Sequence, residues 1–80
     1  MYTIITRDNC NFCDIAKSLL RASKQGYKEY NVQSDSSRWV LTLIKQAGHK
    51  TVPQIFSSDG TYIGGYTELK QLMGKIESEI

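Results

Sequence analysis

The chain has 80 residues, 40% of them apolar, with one proline, six glycines and a net charge of +2 at pH 7. That length supports one domain, residues 1–80, and the apolar content is that of a globular protein, not a disordered one. The small charge, without a Lys/Arg cluster, argues against a nucleic-acid partner, and no apolar run approaches the length of a membrane span. The first five residues are too short and too quickly polar to form a signal peptide.

Taken in order, residues 2–6 read as a first strand, with Ile4 and Ile5 giving a buried run. Residues 7–9 form a loop. From Cys13 onward Ile15, Ala16, Leu19 and Leu20 follow the helical period, with Lys17, Arg21 and Lys24 on the wetter side. Gly26 is placed to end that helix. Residues 27–32 alternate and carry Tyr27, Tyr30 and Val32, so they read as a second strand. Residues 34–37 offer several N-cap side chains. Trp39, Val40, Leu43, Ile44 and Ala47 then give an apolar helical face that ends at Gly48. Residues 54–57 and 61–63 read as two strands joined by a turn at Ser58, Asp59 and Gly60. After Gly64 and Gly65, residues 67–80 form a last helix with Leu69, Leu72, Met73 and Ile76 inward. The order β-α-β-α-β-β-α predicts an α/β fold: a four-stranded mixed sheet, parallel across the first crossover and antiparallel in the last hairpin, flanked by helices.

Cys10 and Cys13 are the only cysteines. They sit three residues apart where a strand gives way to a helix, a placement that reads as redox-active or metal-binding. A disulfide between them closes so short a loop that chain entropy gives it about 2 kcal/mol, against about 3 kcal/mol for a fifteen-residue loop. A bridge there is a poor staple, so the pair is expected to open and close in a reducing, cytoplasmic setting. A zinc site needs two more ligands, and His49 is the only histidine. The free N–H groups at the start of the helix can hold Cys10 as a thiolate, whereas an ordinary thiol is only about 3% ionised at pH 7. Asp14 in the first turn opposes this. Its nearest sequence partner is Lys17, three residues on.

Three segments resemble the glutaredoxins, the small members of the thioredoxin fold: Cys10-Asn11-Phe12-Cys13-Asp14-Ile15-Ala16-Lys17, Thr51-Val52-Pro53-Gln54-Ile55-Phe56, and Gly64-Gly65-Tyr66-Thr67-Glu68-Leu69. Their order and spacing cover nearly the whole chain. The resemblance implies a thioredoxin fold and a glutathione-dependent thiol–disulfide oxidoreductase, in which Cys10 is the nucleophile and Cys13 the resolving thiol. It implies that Arg7, three residues before Cys10, brings a cation toward the thiolate and the glycine carboxylate of glutathione, and that Lys50 meets a glutathione carboxylate. Thr51, Val52 and Pro53 are expected to form the edge that pairs with the substrate, the Val52–Pro53 bond being cis. Gly65, Tyr66, Thr67 and Glu68 are expected to hold the γ-glutamyl end at a helix N-terminus.

Two residues depart from the Cys-Pro-Tyr-Cys usual in that family. Phe12 keeps an aromatic wall beside the sulfur and removes the tyrosine hydroxyl. Asn11 relaxes the turn and restores an N–H that proline lacks. Glu68 is longer than the Asp or Ser common at its position. Glutathione is the expected co-substrate, with no metal. The expected partners are disulfide-containing client proteins, ribonucleotide reductase among them, and the protein is expected to be a monomer. Two alternatives stand beside this reading: a thioredoxin-like donor reduced by a flavin reductase, and a carrier in which two chains and two glutathiones ligate a two-iron, two-sulfur cluster.

Overall fold

The computed structural model describes the backbone of residues 1–49 and 51–78 and the side chains of residues 1–49 and 51–74. Its elements are β1 (Tyr2–Thr6), α1 (Asn11–Ala22), β2 (Tyr27–Asn31), a 3₁₀ turn (Asp35–Ser37) running into α2 (Arg38–Gln46), β3 (Gln54–Phe56), β4 (Tyr62–Gly64) and α3 (Tyr66–Ser78). The sheet order is β2-β1-β3-β4. β1 runs parallel to β2 and antiparallel to β3, and β3 and β4 are antiparallel. This is the mixed four-stranded sheet expected from the order of elements.

Strand alternation divides the core between two faces of the sheet. Ile4 and Ile55 are directly opposite one another across β1 and β3. Both are fully buried, with Ala16 and Leu20 of α1 and Leu69 and Met73 of α3. Burial of each large aliphatic side chain there contributes about 1.5–3 kcal/mol. Ile5 points the other way and packs with Val32, Val40 and Ile44. Thus α1 and α3 share one face, and α2 covers the other.

That asymmetry explains where the sequence pattern overreaches. Trp39 is 57% exposed and Leu43 52%. Both lie at the margin of α2, which among the described residues packs in a cluster apart from α1 and α3, and only Val40 and Ile44 of their face are buried. Ile15 of α1 is likewise exposed, and Leu19 is partly buried. The inward stripe of α1 is Cys13, Ala16 and Leu20. Ile76 lies outside the described side chains.

Helix ends also differ in detail. α1 closes through Lys24, which takes the left-handed conformation (φ 59°). Gln25 N–H then donates to Leu20 O and Lys24 N–H to Arg21 O, the paired bonds of a Schellman cap. Gly26 therefore lies two residues past the position expected of it. α2 ends as expected at Gly48 (φ 86°), with His49 N–H on Ile44 O. None of the hydroxyls before α2 caps it through a side chain. The 3₁₀ turn takes up the entry instead. In the β3–β4 hairpin Gly60 is left-handed (φ 89°). Asp59 there accepts from the Thr61 N–H at 3.0 Å and from the Ser57 hydroxyl. These bonds hold its carboxyl down at about pKa 2.

Candidate active site

β1 delivers the chain to a three-residue loop pinned to the end of β2. Asn31 Nδ2 donates to Asp8 Oδ1 at 2.8 Å, and Asp8 N–H to Gln33 Oε1 at 2.6 Å. Asn9 turns the chain with φ 54°, a left-handed conformation that asparagine tolerates. The next residue, Cys10, is the N-cap of α1, in extended conformation (φ −115°, ψ 102°). Its Sγ accepts the Cys13 N–H at 3.2 Å, the place that a Ser or Asp oxygen takes in an ordinary cap. Cys10 and Cys13 are joined as a disulfide, with their Cα atoms 5.2 Å apart. Cys10 is 9% exposed and Cys13 1%, so the first sulfur is the accessible one.

Two further segments flank the start of α1. Val52 and Pro53 are joined by a cis bond, and Val52 O is 3.9 Å from Cys10 Sγ. On the other side α3 begins. Its N-cap is Gly65, whose carbonyl accepts from Leu69 N–H at 3.1 Å. Glu68, at the third helical position, reaches back so that Oε1 accepts the Gly65 N–H at 3.3 Å, one half of a capping box. Gly64 has φ 129°, and a Cβ placed on it would lie 2.7 Å from Glu68 Oε1. Only glycine fits there.

Between these segments runs a groove of about 190 Å³ lined by Phe12, Thr51, Val52, Pro53, Gly65, Tyr66, Thr67 and Glu68. These are eight of the ten residues that the sequence marks on the substrate side. Phe12 is 59% exposed, and its ring centroid is 5.8 Å from that of Tyr66. Arg7 is exposed at the end of β1 and does not line the groove. Lys50 lies outside the described residues. A larger hollow of about 460 Å³ lies over the α2 face among Ile5, Tyr30, Trp39, Leu43 and Phe56. It contains neither cysteine, so size does not identify the site.

Lys17 is committed away from the sulfurs. Its Nζ is 3.2 Å from Glu29 Oε2 and 3.6 Å from Asp14 Oδ1. Burial alone would lower its pKa, but the hydrogen bond and charge of Glu29 prevail and raise it. Glu29 Oε2 also accepts from the buried Thr6 hydroxyl at 2.6 Å. Asp14 therefore has a cationic neighbour that offsets part of its repulsion of a thiolate. Among the described residues no three His, Cys, Asp or Glu side chains gather to hold a metal ion.

Sequence reading missed two residues behind the groove. Gln54 is 3% exposed. Its Nε2 donates to Thr51 O at 2.5 Å, and its Oε1 accepts from Tyr62 Oη at 2.5 Å. The available signal was an amide between Pro53 and the buried Ile55: a buried amide must find partners for both its ends.

This arrangement has close counterparts. The glutaredoxin family model matches residues 2–63. Glutaredoxin 3 of Escherichia coli is 35% identical over 69 residues, covering 86% of this chain and 81% of that protein. Mitochondrial glutaredoxin-2 of Pongo abelii is 35% identical over 71 residues, but the chain spans only 44% of its length. Among solved structures, glutaredoxin 1 of Francisella tularensis, crystallised with cacodylate, superposes with a TM-score of 0.75 at 32% identity, covering 96% of this chain and 95% of that one. With the cysteine pair capping a helix beside a cis proline, and with sequence and backbone both aligned to these proteins, the chain belongs to the glutaredoxin family.

Proposed function

We propose that this protein is a glutathione-dependent thiol–disulfide oxidoreductase acting through Cys10 and Cys13. The Cys10 thiolate attacks one sulfur of a client disulfide, whose other sulfur leaves as a thiolate. The Cys13 thiolate then attacks Cys10 Sγ, which releases the reduced client and forms the internal disulfide. Two glutathione thiols reduce that bond in two exchanges and leave as glutathione disulfide. One observation supports the reading: the more exposed of the two cysteines accepts a helix-start N–H and stands 3.9 Å from Val52 O, on the edge of a groove that ends at a second helix start. An amide aimed at sulfur favours its ionised form.

The groove residues divide the work in this proposal. Thr51, Val52 and Pro53 form the edge along which the cysteine of glutathione, or of a client, lies. Gly65, Tyr66, Thr67 and Glu68 surround its γ-glutamyl end. The free N–H groups of the first turn of α3 suit a carboxylate. The Glu68 carboxylate, which turns back to Gly65, leaves these amides to the ligand and presents a negative charge suited to an ammonium. Phe12 covers one wall. Arg7 and Lys50 supply cations for the carboxylates of glutathione. The chain works as one domain and a monomer in a reducing compartment such as the cytoplasm, and its clients are disulfide-bearing proteins such as ribonucleotide reductase.

The test follows reduction of a mixed disulfide between glutathione and a small thiol, with NADPH consumption as the readout. Turnover is expected with glutathione and glutathione reductase, and none above background with thioredoxin reductase. Turnover only with thioredoxin reductase would overturn the glutathione assignment in favour of a thioredoxin-like donor.

A further inference from the structure

Among the described residues no strand pairs with residues 51–53, so the proposed substrate edge must keep its shape by other means. A relay through the buried amide of Gln54 lies directly behind it, between the exposed Tyr62 and Thr51. Tyr62 Oη on β4 donates to Gln54 Oε1 at 2.5 Å, and Gln54 Nε2 donates to Thr51 O at 2.5 Å, with Thr51 Oγ1 3.4 Å away. Gln54 is 3% exposed, so neither end of its amide can turn to water if a partner is lost. The Tyr62 ring is itself held: His49 stacks on it with centroids 4.4 Å apart and an interplanar angle of 25°, and Phe56 packs at 5.3 Å. The next residue after Thr51 carries the carbonyl that stands 3.9 Å from Cys10 Sγ. Anything that rotates the Thr51 carbonyl therefore moves the edge against which the reacting sulfurs align.

We propose that Tyr62 and Gln54 are positioning residues for the Thr51–Val52 edge, fixing its backbone so that a glutathionyl or client sulfur meets Cys10 in register. The proposal rests, for the substrate it names, on the glutathione reading above. The hydroxyl is the working part of Tyr62. Its pKa is raised by burial and then by the charge of Glu68, so it remains an O–H donor across the neutral range. The Thr51 carbonyl can only accept, so it takes the Gln54 amide nitrogen and turns the amide oxygen toward the phenol. Tyr62→Phe removes the donor and keeps the ring that packs on His49 and Phe56. Gln54→Leu removes both bonds at similar volume.

The experiment compares the full-length reduced wild type with Tyr62→Phe, and with Gln54→Leu as a second variant, through two independent readouts. The first needs no substrate: ¹⁵N relaxation dispersion at the Thr51 and Val52 amides, which is expected to show exchange in both variants and little in the wild type. The second is steady-state reduction of a glutathione mixed disulfide. Loss of one hydrogen bond is expected to raise KM about 3- to 10-fold in Tyr62→Phe, with kcat kept within about twofold. The Cys10 thiolate titration is expected not to move, because the relay touches no sulfur. Quiet amides with unchanged KM in Tyr62→Phe would overturn the proposal, as would a fall in thermal stability alone. If the wild type does not turn over with glutathione, the substrate assignment falls. The amide dynamics then still decide whether the relay holds the edge.

Discussion

Two helices begin at this site, and they are capped in opposite ways. α1 starts at a sulfur: Cys10 accepts the Cys13 N–H and is also the nucleophile of the proposed reaction. α3 starts at a glycine, and its cap comes from Glu68, which bends back to the Gly65 N–H and takes no part in bond making. The first cap is, in the proposed reaction, a nucleophile, whereas the second is a carboxyl side chain in a backbone that only glycine at position 64 permits. The proposed function thus divides chemistry and recognition between two instances of the same local motif. A helix N-terminus stabilises whatever anion its cap presents, whether a thiolate made by the protein or a carboxylate brought by a ligand.

The comparison is broken most completely at Cys10. Cys10→Ser is expected to reduce turnover of a mixed disulfide to below about a thousandth. Serine caps helices well, so the reduced proteins should differ in unfolding free energy by less than about 1 kcal/mol. Loss of the fold with loss of activity would show that the sulfur does more than cap. Gly64→Ala attacks the other start. A residue with a side chain at φ 129°, with its Cβ 2.7 Å from Glu68 Oε1, forces Glu68 off its cap. Destabilisation of about 1–3 kcal/mol is expected in urea unfolding, with Cys10 still reactive toward a small disulfide.

The smallest effect sharpens the distinction between cap and charge. Glu68→Gln keeps an acceptor oxygen for Gly65 and removes the negative charge. Stability should change by less than about 0.5 kcal/mol, while the Tyr62 phenol, followed by NMR titration, should ionise at lower pH than in the wild type. The sign is set by the cause. The Tyr62 pKa is raised by burial and by Glu68, so the associated stability is complete below the ordinary tyrosine value of 10.0 and is lost as pH rises through the folded value. Removing one of the two causes brings that loss to lower pH. An unchanged titration would place the Glu68 charge out of reach of the phenol.

Most of this arrangement was legible in the chain because it depends on local rules. The buried run at Ile4 and Ile5, the turn at Gly60 and the stop at Gly48 follow from apolar patterning and left-handed glycine. The groove was legible through resemblance: eight of its marked residues converge, although they come from three separate segments. The failures have one physical origin. A helical period states which residues share a face but not how wide the covered stripe will be. α1 and α3 lie together on one face of the sheet, whereas α2 lies alone on the other, so Trp39 and Leu43 stay exposed although they keep the same period as Val40 and Ile44. α1 ends at Ala22, two residues past Leu20, the last of its buried stripe, so Lys24 takes the left-handed position and Gly26 comes too late to serve. The Gln54–Tyr62 relay spans eight residues and two strands, and no local pattern predicts such a pair.

The Cys10 cap has a thermodynamic consequence. Because the sulfur both closes α1 and changes oxidation state, folding and reduction form a single cycle. A thiolate accepts the Cys13 N–H more strongly than a disulfide sulfur does. The excess stabilises the reduced fold relative to the oxidised one and, by closure of the cycle, raises the reduction potential by the same free energy, about 30 mV for each 1.4 kcal/mol. The difference in unfolding free energy between the oxidised and reduced proteins, set against that of the unfolded dithiol, is therefore itself an electrochemical measurement. A substitution that stabilises both redox forms equally leaves the potential where it was.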